Sequence, residues 1–295
     1  MLDHLLSGSA IDQVLPDHYL RAAVAHQGGA ERIAAACEFS RLPRLIEDAP
    51  DQEVLVSCEG RPVERPPGEA DPARWLASGW SIAVRHAERI DGSLGLIAAG
   101  ITSALLGPVD VQVHATPAGR TGFGWHYDPE EVFVVQCAGA KEWLVRRNTV
   151  HPDPLLEAMP RDLQFERESS DILRVRLEPG DWLYIPGGWW HVARAGEADS
   201  LSLSIGVQAL TPLALLDALR ATLVRDPRWR RRLPPGGMTV DDPIMKAIAA
   251  ELAQRLVDPA LVAAHAATQR RAAARLLVPP AAGRQVSGPG GGQVR

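Results

Sequence analysis

Between residues 109 and 207 the chain consists almost entirely of short apolar or alternating runs separated by turn residues. VDVQVHA (109–115), KEWLV (141–145) and ILRVRL (172–177) alternate apolar with polar side chains, the period of a strand buried on one face. EVFVVQC (131–137) is a continuous apolar run. WLYIP (182–186), WWHVA (189–193) and SLSLSIGV (200–207) complete the set. Glu178-Pro179-Gly180-Asp181 places proline and then glycine at its two central positions, which suits a type II turn. Short strands at this spacing predict a mainly β core, a sandwich or barrel.

The flanks read differently. Residues from about 17 to 38 are alanine-rich and predict a helix broken at Gly28-Gly29. VLVS (54–57) and WSIAV (80–84) predict strands, and the Pro- and Gly-rich stretch 60–72 predicts a loop. Asp71-Pro72 opens a short helix that Gly79 stops, and an apolar helix is expected over 90–105. After about 211 the chain turns helical. Asp242-Pro243 opens a helix with Ile244, Ile248, Leu252 and Leu256 on one stripe, and Asp258-Pro259 opens another that runs to about Leu277. The tail 279–295, with its GPGGG run, is expected to be disordered. The expected division is an N-terminal α/β region over 1–105 packing on the core, a β core over 106–211, a helical region over 212–278, and the tail.

A net charge of −5 argues against general attraction to nucleic acid. One basic run, RDPRWRRRLPP (225–235), is read as a solvated connector in preference to an RNA contact. Every apolar run is well short of the roughly 20 residues that span a bilayer. The N-terminus lacks the pattern of a secretory signal, and the three cysteines form no CxxC pair, so reduced thiols in a cytoplasmic protein are expected.

His126 and Asp128 stand two residues apart, and on a strand such a pair shares a face. One more histidine from a neighbouring strand would complete a two-histidine, one-carboxylate set that binds Fe(II) and leaves positions open. His191, after the Pro186-Gly187-Gly188 turn, is the best candidate. Five of the eight tryptophans (125, 143, 182, 189 and 190) fall on the same strands and are expected to wall a dry pocket. Only two of the 31 basic residues are lysines, Lys141 and Lys246. Lys141 begins the strand after EVFVVQC. If that strand pairs with its predecessor, a buried ammonium lies near the metal and needs an anion.

The segments VHATPAGRTGFGWHYDPEEVFVVQCAGAKEWLV and EPGDWLYIPGGWWHVARA resemble the JmjC-type Fe(II)/2-oxoglutarate oxygenases, in particular their cupin-like branch that includes the ribosomal-protein hydroxylases. The resemblance spans about 79–235. It implies a double-stranded β-helix, or jelly roll. It also implies Fe(II) held by His126, Asp128 and His191, and 2-oxoglutarate paired through its far carboxylate with Lys141. Where relatives carry an asparagine and a tyrosine on the strand before the metal motif, this chain has Gln112 and His114, both placed to touch the co-substrate. Gly206 stands where relatives often have a hydroxyl or amide, and Ser204 is the nearest hydroxyl on that face. The stretch 212–278 is short for the winged-helix module of the ribosomal hydroxylases, which is expected to be reduced or missing.

The resemblance implies an oxygenase that uses Fe(II), 2-oxoglutarate and O2, releases succinate and carbon dioxide, and hydroxylates a protein or peptide side chain, a ribosomal protein being one candidate. A small-molecule hydroxylase of the same mechanism and a non-catalytic cupin that binds a metal or ligand are the alternatives. Because relatives dimerise through helices after the core, a homodimer is expected.

Overall fold

The computed structural model describes residues 16–64, 71–105, 107–155, 165–233 and 242–276. Its strands are β1 (Val24–His26), β2 (Val54–Cys58), β3 (Arg61–Val63), β4 (Trp80–Val84), β5 (Val109–Thr116), β6 (Glu131–Ala138), β7 (Lys141–Arg146), β8 (Ile172–Leu177), β9 (Trp182–Ile185), β10 (Trp190–Ala195) and β11 (Ser200–Val207). Its helices are α1 (Glu31–Ala34), α2 (Leu42–Asp48), α3 (Pro72–Ala77), α4 (Gly92–Leu105), α5 (Pro212–Leu223), α6 (Pro243–Leu256) and α7 (Pro259–Leu276). Two antiparallel sheets result. The larger has the order β1-β9-β6-β11-β5-β4-β2-β3 and the smaller the order β10-β7-β8. This is the jelly roll that the resemblance implies, and it agrees with the β core expected from the strand spacing.

The alternation of the sequence decides what each sheet face buries. On the outer face of the larger sheet, Val111, Val113, Phe133, Val135, Trp182, Tyr184, Leu203 and Ile205 pack with Leu94, Ile97 and Ile101 of α4 into the main core. On its inner face, Val132, Val134, Leu183 and Ile185 meet Trp143 and Val145 of β7 and Leu177 of β8. The central stretch of β6 is therefore buried on both faces, which explains why EVFVVQC does not alternate.

Helix starts follow their caps. Asp71 accepts from the Arg74 amide at 2.9 Å, Asp242 from Ile244 at 2.8 Å and Thr211 from Ala214 at 3.1 Å, each followed by a proline in the first turn.

Three expectations fail. The stretch 17–38 is not one helix, because Val24–His26 pairs with the open edge of β9, and tertiary pairing overrides alanine propensity there. The stretch 60–72 is not all loop: Glu59 and Gly60, with φ of 49° and 78°, turn the chain so that Arg61–Val63 returns along β2. Pro62 is tolerated because β3 is the last strand of its sheet. Finally, β7 does not pair with β6. The turn at Gly139-Ala140 carries the chain into the other sheet, where Lys141 faces Ala195 and Leu177.

After β11, helix α7 lies against α4 and buries Leu261 and Ala266, whereas α6 touches mainly α5 and buries no residue. Within the basic run, Arg228 pairs with Asp226 at 2.7 Å, and Arg255 of α6 reaches Asp226 at 3.2 Å and Glu251 at 2.7 Å. Arg228 also reaches Glu251 of α6 at 3.3 Å, so part of this arginine charge holds the connector to α6. Among the described residues no helix is long and apolar enough to cross a membrane. The tail from 279 lies outside the described residues.

Candidate metal centre

His126 and Asp128 do not sit on a regular strand. They lie in an irregular segment before β6 that touches β10 through isolated bridges at Thr121–Arg194 and His126–His191. The cause is an uneven register. The Gly122 amide bonds Ala193 O and the His126 amide bonds His191 O, so four steps on one side match two on the other. The excess bulges outward and the Gly124 amide is satisfied by Gly60 O at 2.9 Å instead. The bridge itself is reciprocal: His126 N donates to His191 O at 3.2 Å and His191 N to His126 O at 2.8 Å.

On the other side of the site, Gly187 and Gly188 let the chain turn into β10. A Cβ on Gly188 would stand 2.7 Å from Pro154 Cδ and 2.8 Å from Pro152 O, and the Gly188 φ is +78°. Its amide bonds Asp128 O at 2.7 Å, which ties the turn before His191 to the loop that carries Asp128.

The side chains converge. One ligand atom from each of His126, Asp128 and His191 lies within 4.8 Å of the others. Asp128 Oδ2 is 3.4 Å from His191 Nε2 and 4.0 Å from His126 Nε2. His191 is buried, while the other two face the barrel mouth. Each imidazole turns Nδ1 to a carbonyl, His126 to Gly124 O at 2.7 Å and His191 to Trp189 O at 3.0 Å. An Nδ1–H that donates there leaves Nε2 as the free lone pair. Burial, then the neighbouring His191, lowers the His126 pKa and favours the neutral ligand form. For Asp128, burial alone would raise the pKa, but the neighbouring His191, His126 and His114 outweigh it and hold the carboxyl well below its usual range. Two neutral imidazoles and a carboxylate are the donor set of a non-haem Fe(II) centre, so these residues fit that ion.

Lys141 is 3% exposed and faces the barrel interior, on the same face of β7 as Trp143 and Val145. Its Nζ donates to Ser202 Oγ at 3.0 Å and lies 5.8 Å from the Trp143 ring centroid. Burial pushes its pKa down to about 8, against a smaller opposing effect of Cys137. His114 belongs to the same compartment. Burial and then Lys141 push its pKa down to about 3, so its ring is neutral, and it meets Phe123 edge-on at 5.8 Å.

Gln112 and Ser204 face each other one step further along β5 and β11, and the Gln112 amide is held by Asp110 Oδ2 at 2.8 Å. The hydroxyl that Lys141 reaches is that of Ser202, which sequence reasoning missed. Ser202 pairs with His114 across the strands, and that register could have pointed to it. The space that Gly206 leaves is taken by Glu130, whose Cβ is 3.4 Å from where a Cβ would be.

The tryptophans divide. Trp143 lines the compartment. Trp125 stacks on Phe165 at 4.3 Å and Phe165 meets Trp190 at 5.3 Å, an aromatic cluster on the face of β10 opposite that of His191. Trp182 lies instead in the outer core with His26 and Phe133. Glu168 anchors the chain beside this aromatic wall, accepting from Thr149 N, Thr149 Oγ1, Val150 N and Trp190 Nε1 at 2.8–3.2 Å.

The JmjC domain family matches residues 96–215. Human ribosomal oxygenase 1 is 29% identical over 183 residues, covering 57% of this chain and 28% of that protein. The bifunctional lysine-specific demethylase and histidyl-hydroxylase NO66 of Drosophila persimilis is 32% identical over 142 residues, covering 43% and 19%. This chain thus spans less than a third of either relative. Among solved structures, Escherichia coli YcfD matches with a TM-score of 0.58 and 20% identity over 87% of this chain and 70% of that one. The structure of that ribosomal oxygenase in complex with cobalt and 2-oxoglutarate matches with a TM-score of 0.55 and 20% identity, over 87% of this chain and 69% of that one. At such identity the structures speak for the fold alone, which they share. Residues 96–215 of this chain are thus similar to JmjC domains and to the matching segments of the ribosomal oxygenases.

Proposed function

We propose that the chain is an Fe(II)- and 2-oxoglutarate-dependent oxygenase that hydroxylates a protein or peptide side chain in the cytoplasm. The observation that carries this reading is a pairing on one inner wall: the His126–Asp128–His191 set and, beyond Trp143, a buried lysine with a hydroxyl partner and, among the described residues, no carboxylate. A buried ammonium gains most from a carboxylate. A dicarboxylate that chelates the metal at one end and meets Lys141 at the other uses both features.

His126, Asp128 and His191 would hold Fe(II). When bound, that ion supplies the oxygen-activating redox chemistry that couples conversion of 2-oxoglutarate to succinate and carbon dioxide with hydroxylation of the substrate. The chain supplies position. The two Nδ1–H···O=C bonds aim both Nε2 atoms inward. Lys141 and Ser202 receive the far carboxylate, and neutral His114 lines the same pocket without competing for it as a cation. Trp125, Phe165 and Trp190 pack as an aromatic wall beside the segment that carries His126 and Asp128.

The relatives' names support a ribosomal protein as substrate class. Exposed Leu213 and Leu216 on α5 and Ile244 on α6 support a homodimer formed through the helices after the core. The test is succinate release with added Fe(II) and 2-oxoglutarate, together with mass spectrometry of treated ribosomal proteins for one added oxygen atom. Succinate release by the parent and none by His126→Ala, with its metal lost, is the expected result. A parent that binds iron and never releases succinate makes the chain a binding module.

A further inference from the structure

Trp143 carries a feature that metal and lysine leave unexplained. It stands between Lys141 and Val145 on the inner face of β7, opposite Ala193 of β10 and Val175 of β8, and it is 8% exposed. Its ring is close to both ends of the site, with Lys141 Nζ 5.8 Å and the His191 ring 6.1 Å from its centroid. Its Nε1 is buried and has no acceptor among the described residues.

An indole N–H can only donate, and burying it unpaired is unfavourable. An orphan indole alone is not a site. Trp182 Nε1 also lacks an acceptor, yet its ring lies in the outer core, away from the triad. Trp143 differs in place: it lines the compartment that the triad and Lys141 share, and strands on both sides hold its backbone.

We propose that Trp143 Nε1–H donates a hydrogen bond to a carboxylate oxygen of the 2-oxoglutarate bound between the metal and Lys141. The assignment rests on the reading of this compartment as a 2-oxoglutarate pocket. It follows from supply and demand. A carboxylate offers about four lone-pair sites, and Lys141, already donating to Ser202, does not fill them all. Trp143 brings a donor that keeps its proton at every working pH, so anion selectivity does not depend on the lysine charge alone.

The experiment uses the full chain loaded with zinc, which is diamagnetic, and ¹⁵N NMR of the indole resonances. That of Trp143 is identified by its proximity to the Ala193 and Val175 methyls, and its loss in Trp143→Phe confirms the assignment. The resonance should move downfield as 2-oxoglutarate is added. Trp143→Phe keeps an aromatic ring without the N–H and should bind 2-oxoglutarate about tenfold to a hundredfold more weakly, with zinc affinity unchanged. If that variant does not fold, the parent resonance decides. An unmoved resonance in a parent that binds 2-oxoglutarate, or a folded Trp143→Phe that binds it as tightly as the parent, overturns this assignment alone. A parent that binds no 2-oxoglutarate overturns the pocket reading and the assignment with it.

Discussion

Lys141 is one of two lysines in a chain that otherwise uses arginine, and it is the residue with the largest consequences. A lysine offers a compact charge on a long stem, whereas arginine offers a planar fork of another shape. Removing one partner of a buried ion pair costs on the order of 3–5 kcal/mol, roughly a hundredfold to a few thousandfold in affinity. Lys141→Ala should raise the apparent 2-oxoglutarate constant by that factor with metal binding nearly intact, and Lys141→Arg should fall between; titration of the co-substrate against each variant checks this. The pH dependence has a definite sign. With its pKa pushed down to about 8 in the fold, the free pocket loses its charge above that pH. Apparent affinity for 2-oxoglutarate should therefore fall toward tenfold per pH unit as pH rises past about 8. The unfolded chain holds that proton up to about 10.4, so burial of Lys141 opposes folding below about 8, a penalty relieved between these values. Lys141→Met should flatten both profiles. The importance of Lys141 was legible because its residue type is rare in this chain. Ser202 was not, because serine at a strand position says nothing until the register is known.

The element whose anchoring is most concentrated is the segment between β7 and β8, held at its described ends by Glu168. That carboxylate accepts four hydrogen bonds, from the Thr149 amide and hydroxyl, the Val150 amide and the Trp190 indole, and they hold its pKa below the usual range although burial raises it. Glu168→Ala leaves these donors unpaired and should lower the unfolding free energy by roughly 2–4 kcal/mol in urea titrations. Because the folded pKa is depressed, this stabilisation is present above about pH 4.3, the unfolded value. It is lost as pH falls through the folded one, so the parent and variant stability curves should converge in acid. Strand identities within the core were legible because period-two alternation needs only a covered face. The β1 segment was not, since three residues gain their extended form from the edge of β9 rather than from their own alanine-rich context. Nor was the irregular path of the metal motif, which follows from a mismatch of register with β10 that no local pattern encodes.

At the scale of the whole molecule, the helices after the core present an uncovered apolar surface. Leu213 and Leu216 are each 46% exposed on α5, and the apolar stripe of α6 leaves Ile244 and Leu256 exposed and Ile248 and Leu252 half-buried. A second copy would bury these surfaces, and light scattering at micromolar protein should return about twice 31.8 kDa. Leu213→Glu combined with Leu216→Glu should halve that value; a parent that scatters as a single chain removes the dimer. The aromatic composition did not foretell which tryptophans serve the site, because fold topology alone sends Trp143 inward and Trp182 outward. The reciprocal pair of backbone hydrogen bonds between His126 and His191 has a consequence for how the protein would handle the proposed ion. Two candidate metal ligands from distant parts of the chain are joined by a rung of main chain, independently of any side chain. Their amides should therefore exchange with deuterium as slowly in chelator-treated protein as in the metal-loaded form. The ion should come and go through the open mouth, at a rate that dilute urea leaves unchanged, because its departure requires no part of the barrel to come apart.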